Sequence, residues 1–540
     1  MHNWRDSILE QFIPQVSRLT LVADPDNLLT EEKLVTELRQ RGFDIIEFSD
    51  SIEFRFAYES KYRAIWDKGE YTDLVVILRL QNSELDSLPF DLLSAGRKLK
   101  FILADIFPHL NYRIISELDK RYLDALYEAQ INNPPDKVLG ENATNLFIQK
   151  AIFPTELELK HKAAWEFYLK LHEDTKKIVT LFEIVESAIP TIDARHSDWI
   201  DFAIKLAELS SLVYRTDNRT SLPHLNEISA NVNTVFSQWL ILHYASLLTL
   251  PPTTPAMLHH IPRYLARNRT ANTPIALIVL DGLALDQWKT IESLLVKKNT
   301  DLQIQENAVF AWIPTLTSVS RQAIFSGKQP IYFASSIDTT DKEESLWKNF
   351  WDNEQLAPNN IVYRRNLKNE NAKDIFDTII KPNSDIVGLV VNMVDDIMHG
   401  MQLGSSGMHN QITGWCNGGF LNSLVTGLLE RKYEVYLTAD HGNIECKGIG
   451  RIAEGVIADT KGERVRIYCS EDLRARTSQM VPSAYSWQQI GLPADYFPLI
   501  ANERNAFVTK DESIVTHGGI SVEEVIVPFI KIEKVKRSNT

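Results

Sequence analysis

Three apolar segments in the C-terminal half of the chain each run into an aspartate. The segments and the aspartates that follow them are Ile275–Leu280 with Asp281, Asp385–Val394 with Asp395, and Glu434–Ala439 with Asp440. Apolar runs of this kind, separated by helical segments, are typical of buried strands in a parallel sheet that is covered on both faces. Because ligands bind beyond the carboxyl ends of such strands, we expect the three carboxylates to converge on one crevice.

Carboxylates crowded into one crevice repel one another and are costly to desolvate, so they call for a cation. Histidines accompany them: His399 follows Asp395 by four residues, His441 follows Asp440 directly, and His517 lies in the segment THGG before the last apolar strand. Mixed Asp and His ligation suits zinc or manganese better than magnesium or calcium. Six such ligands are too many for one tetrahedral ion, so we predict two divalent ions, zinc by preference and manganese as the alternative, in an arrangement suited to phosphoryl displacement.

A cluster of hydroxyl side chains precedes a helical pattern in the segment 312–327, WIPTLTSVSRQAIFSG. Thr and Ser at such a place commonly cap a helix. A hydroxyl at a helix N-terminus also lies beside backbone N–H groups that favour an alkoxide or a phosphate, and a divalent ion makes it a good nucleophile. The pattern therefore predicts a hydroxyl nucleophile, with Thr315 and Thr317 both open, and Arg321 as a fork of donors for a phosphate oxygen.

Residues 1–140 alternate strand and helix patterns and predict an N-terminal α/β domain. Its predicted strands are Arg18–Ala23, Phe43–Phe48, Leu74–Leu80 and Leu99–Ala104. No glycine-rich phosphate loop follows any of these strands in the sequence, so we predict no nucleotide site there and a structural or interaction role instead.

Residues 141–270 carry apolar residues at three- and four-residue spacing and predict a helical domain. The predicted helices are Glu156–Asp174, Lys177–Ala188, Asp198–Tyr214 and Asn231–Leu250. Residues 271–540 return to strand and helix alternation and predict an α/β catalytic domain. Its last predicted strand is Glu524–Ile532, in which Pro528 favours an edge position.

Charge and cysteine content exclude several classes of protein. With 57 basic and 71 acidic residues the formal charge is −14, which speaks against a general DNA-coating protein. Three cysteines without a CxxC pair exclude a disulfide scaffold and fit a reducing compartment. The polar N-terminus lacks a signal core, and no apolar run reaches the ~18 residues that a bilayer requires. We therefore predict a cytoplasmic protein that does not enter the membrane.

The motifs LIVLDG, PTLTSVSRQAIFSG, VDDIMHG, TADHGN and THGG occur in this order between about residues 272 and 535 and are together specific. They resemble the alkaline phosphatase superfamily and, within it, the PglZ domain of BREX-type phage-defence systems. The resemblance implies a sheet sandwiched by helices for the catalytic domain, and a receiver-like or Rossmann-like fold for the N-terminal domain.

The resemblance also implies which residues hold each ion. One ion is expected at Asp281, Thr317, Asp440 and His441, and the other at Asp395, His399 and His517. Thr317 is preferred to Thr315 as the nucleophile because phosphodiesterases of the superfamily place that residue ten positions before a glycine, here Gly327.

Two features of the ligand motifs leave questions open. Asp396 competes with Asp395 as a ligand, and the four-residue spacing to His399 favours Asp395. The phosphodiesterase pattern has Asn and His three and four residues after the nucleophile, where this chain has Ser320 and Arg321. Recognition of the substrate oxygens is therefore expected to differ from that pattern.

The resemblance implies a metal-dependent phosphohydrolase that uses Thr317 as nucleophile and Arg321 as a second catalytic residue. A phosphodiesterase or nuclease is favoured, with a nucleotide, an oligonucleotide or DNA as substrate and other defence-system proteins as partners. A phosphomonoesterase is the first alternative, because the Arg321 guanidinium suits a dianionic phosphate. A non-catalytic structural or signalling component of a defence complex is the second.

Overall fold

The structure, a computed structural model, describes residues 3–47, 51–78, 94, 96–132, 134–135, 137–152, 174–216, 218, 220–270, 273–452 and 460–535. The fold is mixed α/β, as predicted. The chain divides into two compact units, Met1–Lys170 and Leu171–Thr540. The division into three domains that the sequence predicts stays a prediction.

The N-terminal unit contains a parallel sheet, as the alternating pattern predicts. Its described strands are β1 (Leu19–Ala23), β2 (Phe43–Glu47), β3 (Asp73–Leu78) and β4 (Arg97–Lys100). The ends predicted for the second and third strands, residues 48 and 79–80, lie outside the described residues. Around the sheet lie helices at Trp4–Leu9, Glu32–Gln40, Ser51–Ala57, Ala64–Asp67, Leu103–Ile106, Tyr112–Ile115, Leu123–Asn132 and Glu141–Ile152, and a π-helical segment at Tyr58–Arg63.

The strand order of this first sheet differs from that of both folds, receiver-like and Rossmann-like, that the resemblance implies for the N-terminal domain. Among the described strands the order is β2-β3-β1-β4, all parallel. A receiver has β1 between β2 and β3, and a Rossmann sheet has β2 between β3 and β1, so the order agrees with neither. Asp24, which follows β1, accepts hydrogen bonds from the backbone N–H groups of Leu28 and Leu29 at 2.7 and 2.8 Å. The local turn therefore explains this strand-end aspartate.

The second unit is built on a large sheet, here called the main sheet, whose described strands have the order β6-β17-β9-β5-β8-β7. The strands of this unit are β5 (Ile275–Leu280), β6 (Leu302–Phe310), β7 (Ile361–Leu367), β8 (Ile386–Val391), β9 (Glu434–Ala439), β10 (Ile444–Gly448), β11 (Thr460–Lys461), β12 (Val465–Tyr468), β13 (Ala484–Ser486), β14 (Phe497–Ala501), β15 (Asn505–Ala506), β16 (Ser513–Thr516) and β17 (Ile526–Lys534). Strands β9, β5, β8 and β7 run parallel, so their carboxyl ends meet at one edge. Two smaller sheets have the orders β15-β10-β16 and β11-β12-β14-β13 in the described part of the chain.

Helices cover the main sheet. The described ones span 174–187, His196–Arg215, Leu222–Leu247, Ile261–Asn268, Leu285–Lys298, Thr317–Ser326, Glu343–Asn353, Ala372–Thr378, Met393–His399, Gly404–Asn417, Phe420–Glu430, Glu471–Met480 and Val522–Val525. All side chains of β5 and β8 are buried, because a parallel sheet under two helical layers has no solvent face. None of the described helices is long and apolar enough to cross a membrane.

From residue 174 onward the predicted helical segment packs against the main sheet, whereas its first described helix, Glu141–Ile152, belongs to the N-terminal unit. Three of its predicted helices are present, at 174–187, His196–Arg215 and Leu222–Leu247. The fourth, Glu156–Asp174, lies outside the described residues except for its last position. Side chains of these helices and of the main sheet belong to one hydrophobic core. In addition, the Tyr244 hydroxyl donates to the Ala311 carbonyl at 3.2 Å. The helical segment thereby supports the strand end that leads to the candidate nucleophile.

Two predictions about strands of the main sheet are wrong. Strand β8 ends at Val391 rather than at 394, because a short helix, Met393–His399, begins two residues later. Pro528 lies in β17, an interior strand between β6 and β9. The Pro528 carbonyl accepts from the Thr438 hydroxyl at 2.7 Å, and pairing with β9 begins only at the next residue. The N–H and C=O of a strand residue point to the same side, which for Pro528 is the side of β9. Because Pro528 is not paired with β9, the sheet loses no hydrogen bond through the missing N–H.

Candidate metal centre

Among the described residues, two groups of acidic and histidine side chains could each hold an ion. The first consists of Asp281, Asp440 and His441, whose ligand atoms lie within 4.8 Å of one another. Asp281 follows β5, and the other two follow the neighbouring strand β9. All three side chains are buried. The parallel register of β5 and β9 therefore brings them together beyond the same edge of the main sheet.

The second group consists of Asp395, His399 and His517, with the same 4.8 Å limit between ligand atoms. Asp395 and His399 lie four residues apart on the helix Met393–His399, so they share one face. His517 follows β16. Its ring stacks on that of His441 at 3.9 Å between centroids, which places the two groups side by side. Asp396 instead forms a 2.6 Å ion pair with Lys368, so the geometry favours Asp395 over Asp396.

Each of the three aspartates has one carboxylate oxygen that could coordinate a metal ion. Asp281 Oδ2 accepts from Arg321 at 2.8 Å and from Asn392 at 2.6 Å. Asp440 Oδ1 accepts from the backbone N–H groups of Gly282 and His441 at 3.0 and 3.1 Å. Asp281 Oδ1, Asp440 Oδ2 and Asp395 Oδ1 are buried and have no hydrogen-bond partner among the described residues. Buried acceptors of this kind are costly unless paired, so the donor set fits bound cations.

Backbone carbonyls orient two of the histidines. His441 Nδ1 lies 3.0 Å from the Gly442 carbonyl, and His517 Nδ1 lies 2.7 Å from the Thr315 carbonyl. Because a carbonyl can only accept, Nδ1 carries the proton in each ring and Nε2 keeps its lone pair in the neutral form. This arrangement, common around metal-bound histidines, leaves both Nε2 atoms able to act as ligands.

Burial dominates the electrostatics of the first group. It raises the pKa of Asp440 well above its ordinary value, and the neighbouring Asp281 adds to the effect. Burial also raises the pKa of Asp281, against the opposing charge of Arg321. The pKa of His441 lies well below its ordinary value for the same reason, so this ring is neutral, as a ligand must be. The carboxylates are therefore placed where an added positive charge stabilises them.

The two candidate nucleophiles have different surroundings. Thr317 is the first residue of the helix Thr317–Ser326, and its Oγ lies 3.0 Å from His441 Nε2. Thr315 is fully buried, and its Oγ donates to the Gly519 carbonyl and accepts from the Gly518 N–H, both at 3.0 Å. Thr317 thus lies at the first group, whereas Thr315 fixes the loop that carries His517. The ten-residue spacing to Gly327 corresponds to one helix, which ends there with a positive φ of 62°.

The structure places Arg321 differently from the sequence prediction. Its guanidinium is only 3% exposed. Nη1 donates to Asp281 at 2.8 Å, and Nη2 donates to Glu343 at 2.6 Å. Both terminal nitrogens are therefore engaged by carboxylates, and the geometry favours a positioning role over direct phosphate binding. Ser320, at the other departing position, accepts from the Trp312 backbone N–H at 3.3 Å.

Sequence reasoning missed Asn392 and Glu343. Asn392 directly follows β8, and this strand-end position indicates that it lies near the centre. The sequence does not mark it as a ligand, because an amide is not a typical ligand of zinc. Glu343 begins the helix Glu343–Asn353, and nothing local marks it as part of the centre. Its role depends on a contact with Arg321 that only the tertiary structure brings about.

The turn after His441 requires glycine, which gives a first prediction. A Cβ at Gly442 would lie 1.8 Å from the backbone oxygen of Glu523, so Gly442→Ala must displace backbone on one side. We expect it to lower the free energy of unfolding by at least about 2 kcal/mol, measured by denaturant unfolding. Gly414→Ala is the matched control, since that position in the helix Gly404–Asn417 has nothing within 4 Å of the added carbon. The control should raise stability by about 0.5–1 kcal/mol, and equal effects of the two variants would contradict the geometry.

A largely parallel sheet with Asp and His groups beyond its strand ends is the arrangement expected of an alkaline phosphatase-like domain. Residues 265–532 match the family described as the BREX system PglZ alkaline phosphatase-like domain. Residues 265–532 are therefore a PglZ alkaline phosphatase-like domain, as the motifs predict.

Solved structures that match the chain include two mammalian proteins and one bacterial enzyme. Murine ectonucleotide pyrophosphatase/phosphodiesterase 5 is 12% identical over 48% of this chain and 88% of its own, with a TM-score of 0.37. The human protein of the same name is 11% identical over the same shares, with a TM-score of 0.34. Phosphonoacetate hydrolase from Sinorhizobium meliloti 1021 is 12% identical over 48% of this chain and 89% of its own, with a TM-score of 0.31. No curated protein matches the chain in sequence.

Proposed function

We propose that this PglZ domain is a metal-dependent phosphodiesterase that acts on nucleotides, oligonucleotides or DNA in BREX-type phage defence. The observation that carries the proposal is the Thr317 hydroxyl, which lies 3.0 Å from His441 in the first of two adjacent ligand groups. A hydroxyl beside such a group suits phosphoryl transfer, because that reaction needs a positioned nucleophile and a compensating positive charge.

Two divalent ions fit the donor set, with zinc preferred and manganese as the alternative. Asp281, Asp440 and His441, with Thr317, would hold one ion. Asp395, His399 and His517 would hold the other. When bound, the ions neutralise phosphate oxygens and make a neighbouring hydroxyl more acidic.

The side chains of the chain itself supply the nucleophile and its orientation. Thr317 Oγ loses its proton and forms a bond to phosphorus, while the leaving ester oxygen departs and takes up a proton as an alcohol. Water then hydrolyses the resulting threonyl phosphodiester, which restores the Thr317 hydroxyl and releases a phosphate monoester. The helix that begins at Thr317 directs backbone N–H groups toward the negative charge that forms. Arg321 and Asn392 hold one oxygen of Asp281, which leaves the other directed into the site. Each of these groups is fixed by buried contacts before any substrate arrives.

The position of Arg321 favours a diester over a monoester substrate. A dianionic monoester benefits from a free guanidinium, and this feature was the reason to consider a phosphomonoesterase. In the structure Arg321 lies between Asp281 and Glu343, and its charge is compensated on both sides. A monoanionic diester carries one negative charge fewer, so it depends less on a free guanidinium. We therefore keep the monoesterase as an outcome of the test rather than as a second proposal.

The BREX family suggests other defence-system proteins as partners. A cytoplasmic location, like the partners, stays a prediction. A non-catalytic component of a defence complex would need no turnover, and the assay below distinguishes it from an enzyme.

We expect the purified protein to hydrolyse bis(p-nitrophenyl) phosphate faster than p-nitrophenyl phosphate in the presence of Zn²⁺ or Mn²⁺. Treatment with EDTA should lower the diester rate by at least about a hundredfold, because the Asp and His groups lose their cations, and added metal should restore it. Elemental analysis of the protein before and after chelation checks the metal content. Rates that are equal for both esters and independent of metal would overturn the proposal, and bound metal without turnover would favour the non-catalytic component.

A further inference from the structure

A buried chain of charged and polar groups extends from Asp281 away from the ligand groups. Arg321 bridges Asp281 and Glu343 through its two terminal nitrogens. The Tyr363 hydroxyl, from β7, donates to the same oxygen of Glu343 that Arg321 contacts. Glu343 has no exposed surface, and its other carboxylate oxygen has no hydrogen-bond partner among the described residues. Asp281, Arg321 and Glu343 are buried, whereas Tyr363 is partly exposed.

We propose that Glu343 is a specificity-determining positioning residue, which compensates the charge of Arg321 and thereby directs the site to diesters rather than monoesters. This inference rests on the proposed phosphodiesterase function. It concerns a residue that touches neither the substrate nor the ligand groups directly.

The geometry of Arg321 keeps it away from a substrate. A guanidinium that could reach a phosphate must have free N–H donors. Arg321 directs Nη1 to Asp281 at 2.8 Å and Nη2 to Glu343 at 2.6 Å, and its Nε–H, which has no partner among the described residues, is buried. Both carboxylates and the guanidinium are almost fully buried, and breaking such a pair leaves an uncompensated buried charge. Arg321 is therefore held back from the substrate as long as Glu343 is charged.

The net charge of the site also depends on Glu343. Two divalent ions would bring four positive charges, and Arg321 brings a fifth. Asp281, Asp395, Asp440 and Glu343 together bring four negative charges. With the Thr317 hydroxyl still protonated, one positive charge then remains, which matches a monoanionic diester. Without the charge of Glu343 two would remain, which matches a dianionic monoester and stabilises it more in a site of low dielectric.

The variant that tests this is Glu343→Gln, which keeps the size and one acceptor oxygen but removes the charge. We expect the ratio of kcat/KM for bis(p-nitrophenyl) phosphate to that for p-nitrophenyl phosphate to fall by at least about tenfold. The metal content should stay at the wild-type value, since the ligand groups are intact. Glu344→Gln is the matched control: the neighbouring side chain is exposed and pairs with Lys348, and it should leave both the ratio and the metal content unchanged.

Glu343→Asp separates charge from packing. It keeps the negative charge on a shorter side chain, so the preference for the diester should persist even where the overall rate falls. If Glu343→Gln does not fold, this variant decides alone: a shift toward the monoester would overturn the proposal, and a retained diester preference would support it.

Different results would contradict the proposed phosphodiesterase function and the proposed role of Glu343. A wild-type protein that hydrolyses neither ester with Zn²⁺ or Mn²⁺, or that prefers the monoester, contradicts the proposed function itself. A wild-type diesterase whose Glu343→Gln variant binds the full metal content and keeps the same ester ratio contradicts only the role of Glu343.

Discussion

Replacing Thr317 by alanine is expected to lower diester hydrolysis by at least about a thousandfold, because it removes the proposed nucleophile. The protein should remain folded, since Thr317 is only partly buried and begins a helix in which alanine is well tolerated. His441 keeps its contact with the Gly442 carbonyl in this variant, so the first group should still bind metal. Kinetics with bis(p-nitrophenyl) phosphate, with thermal unfolding and metal analysis on the same sample, check the prediction.

Thr317→Ser is the control for this prediction. Serine restores a hydroxyl at the same place beside His441 and should recover a substantial part of the rate. Wild-type activity in Thr317→Ala, with its metal content intact, would show that Thr317 is not the nucleophile. Loss of metal together with activity would show that the first ion depends on Thr317 as a ligand.

The strand-end aspartates could be placed from the sequence because their signal is local. Asp281 and Asp440 each follow a strand of continuous apolar residues, and parallel strands bring such positions to one edge. His441 is the next residue after Asp440, so it comes to the same place. The positions of these groups depend on little beyond the order and direction of two neighbouring strands.

Features that depend on distant contacts could not be predicted. The apolar run through Val394 does not show where β8 ends and the helix with Asp395 begins, because Val and Met fit either element. The interior position of Pro528 depends on a register with β9 that leaves its missing N–H unopposed. The contact between Arg321 and Glu343 likewise depends on the helix Glu343–Asn353, and nothing in the sequence indicates that this helix reaches the site. Spacing identifies candidate ligands, but only packing shows which donors remain free for a substrate.

Removing the carboxylate of Asp395 is expected to abolish the second ion and to lower diester hydrolysis by at least about a thousandfold. Asp395→Ala leaves His399 and His517 as the remaining members of their group, and His399 is more than half exposed. Two histidines, one of them open to water, are too few to hold a divalent ion against solvent. The first group should keep its ion, since Asp281, Asp440 and His441 are unchanged. Elemental analysis should therefore give half the wild-type metal content.

Asp396→Ala is the matched control, because the adjacent carboxylate forms an exposed ion pair with Lys368 outside both groups. Such a pair contributes no more than about 1 kcal/mol to stability, so this variant should keep both ions, the diester rate and the unfolding temperature. If Asp396→Ala lost the ion while Asp395→Ala kept it, the assignment of the two neighbouring aspartates would be reversed. If both variants kept full metal content and full activity, the second group would not be a metal site, and the two-ion arrangement would fail with it.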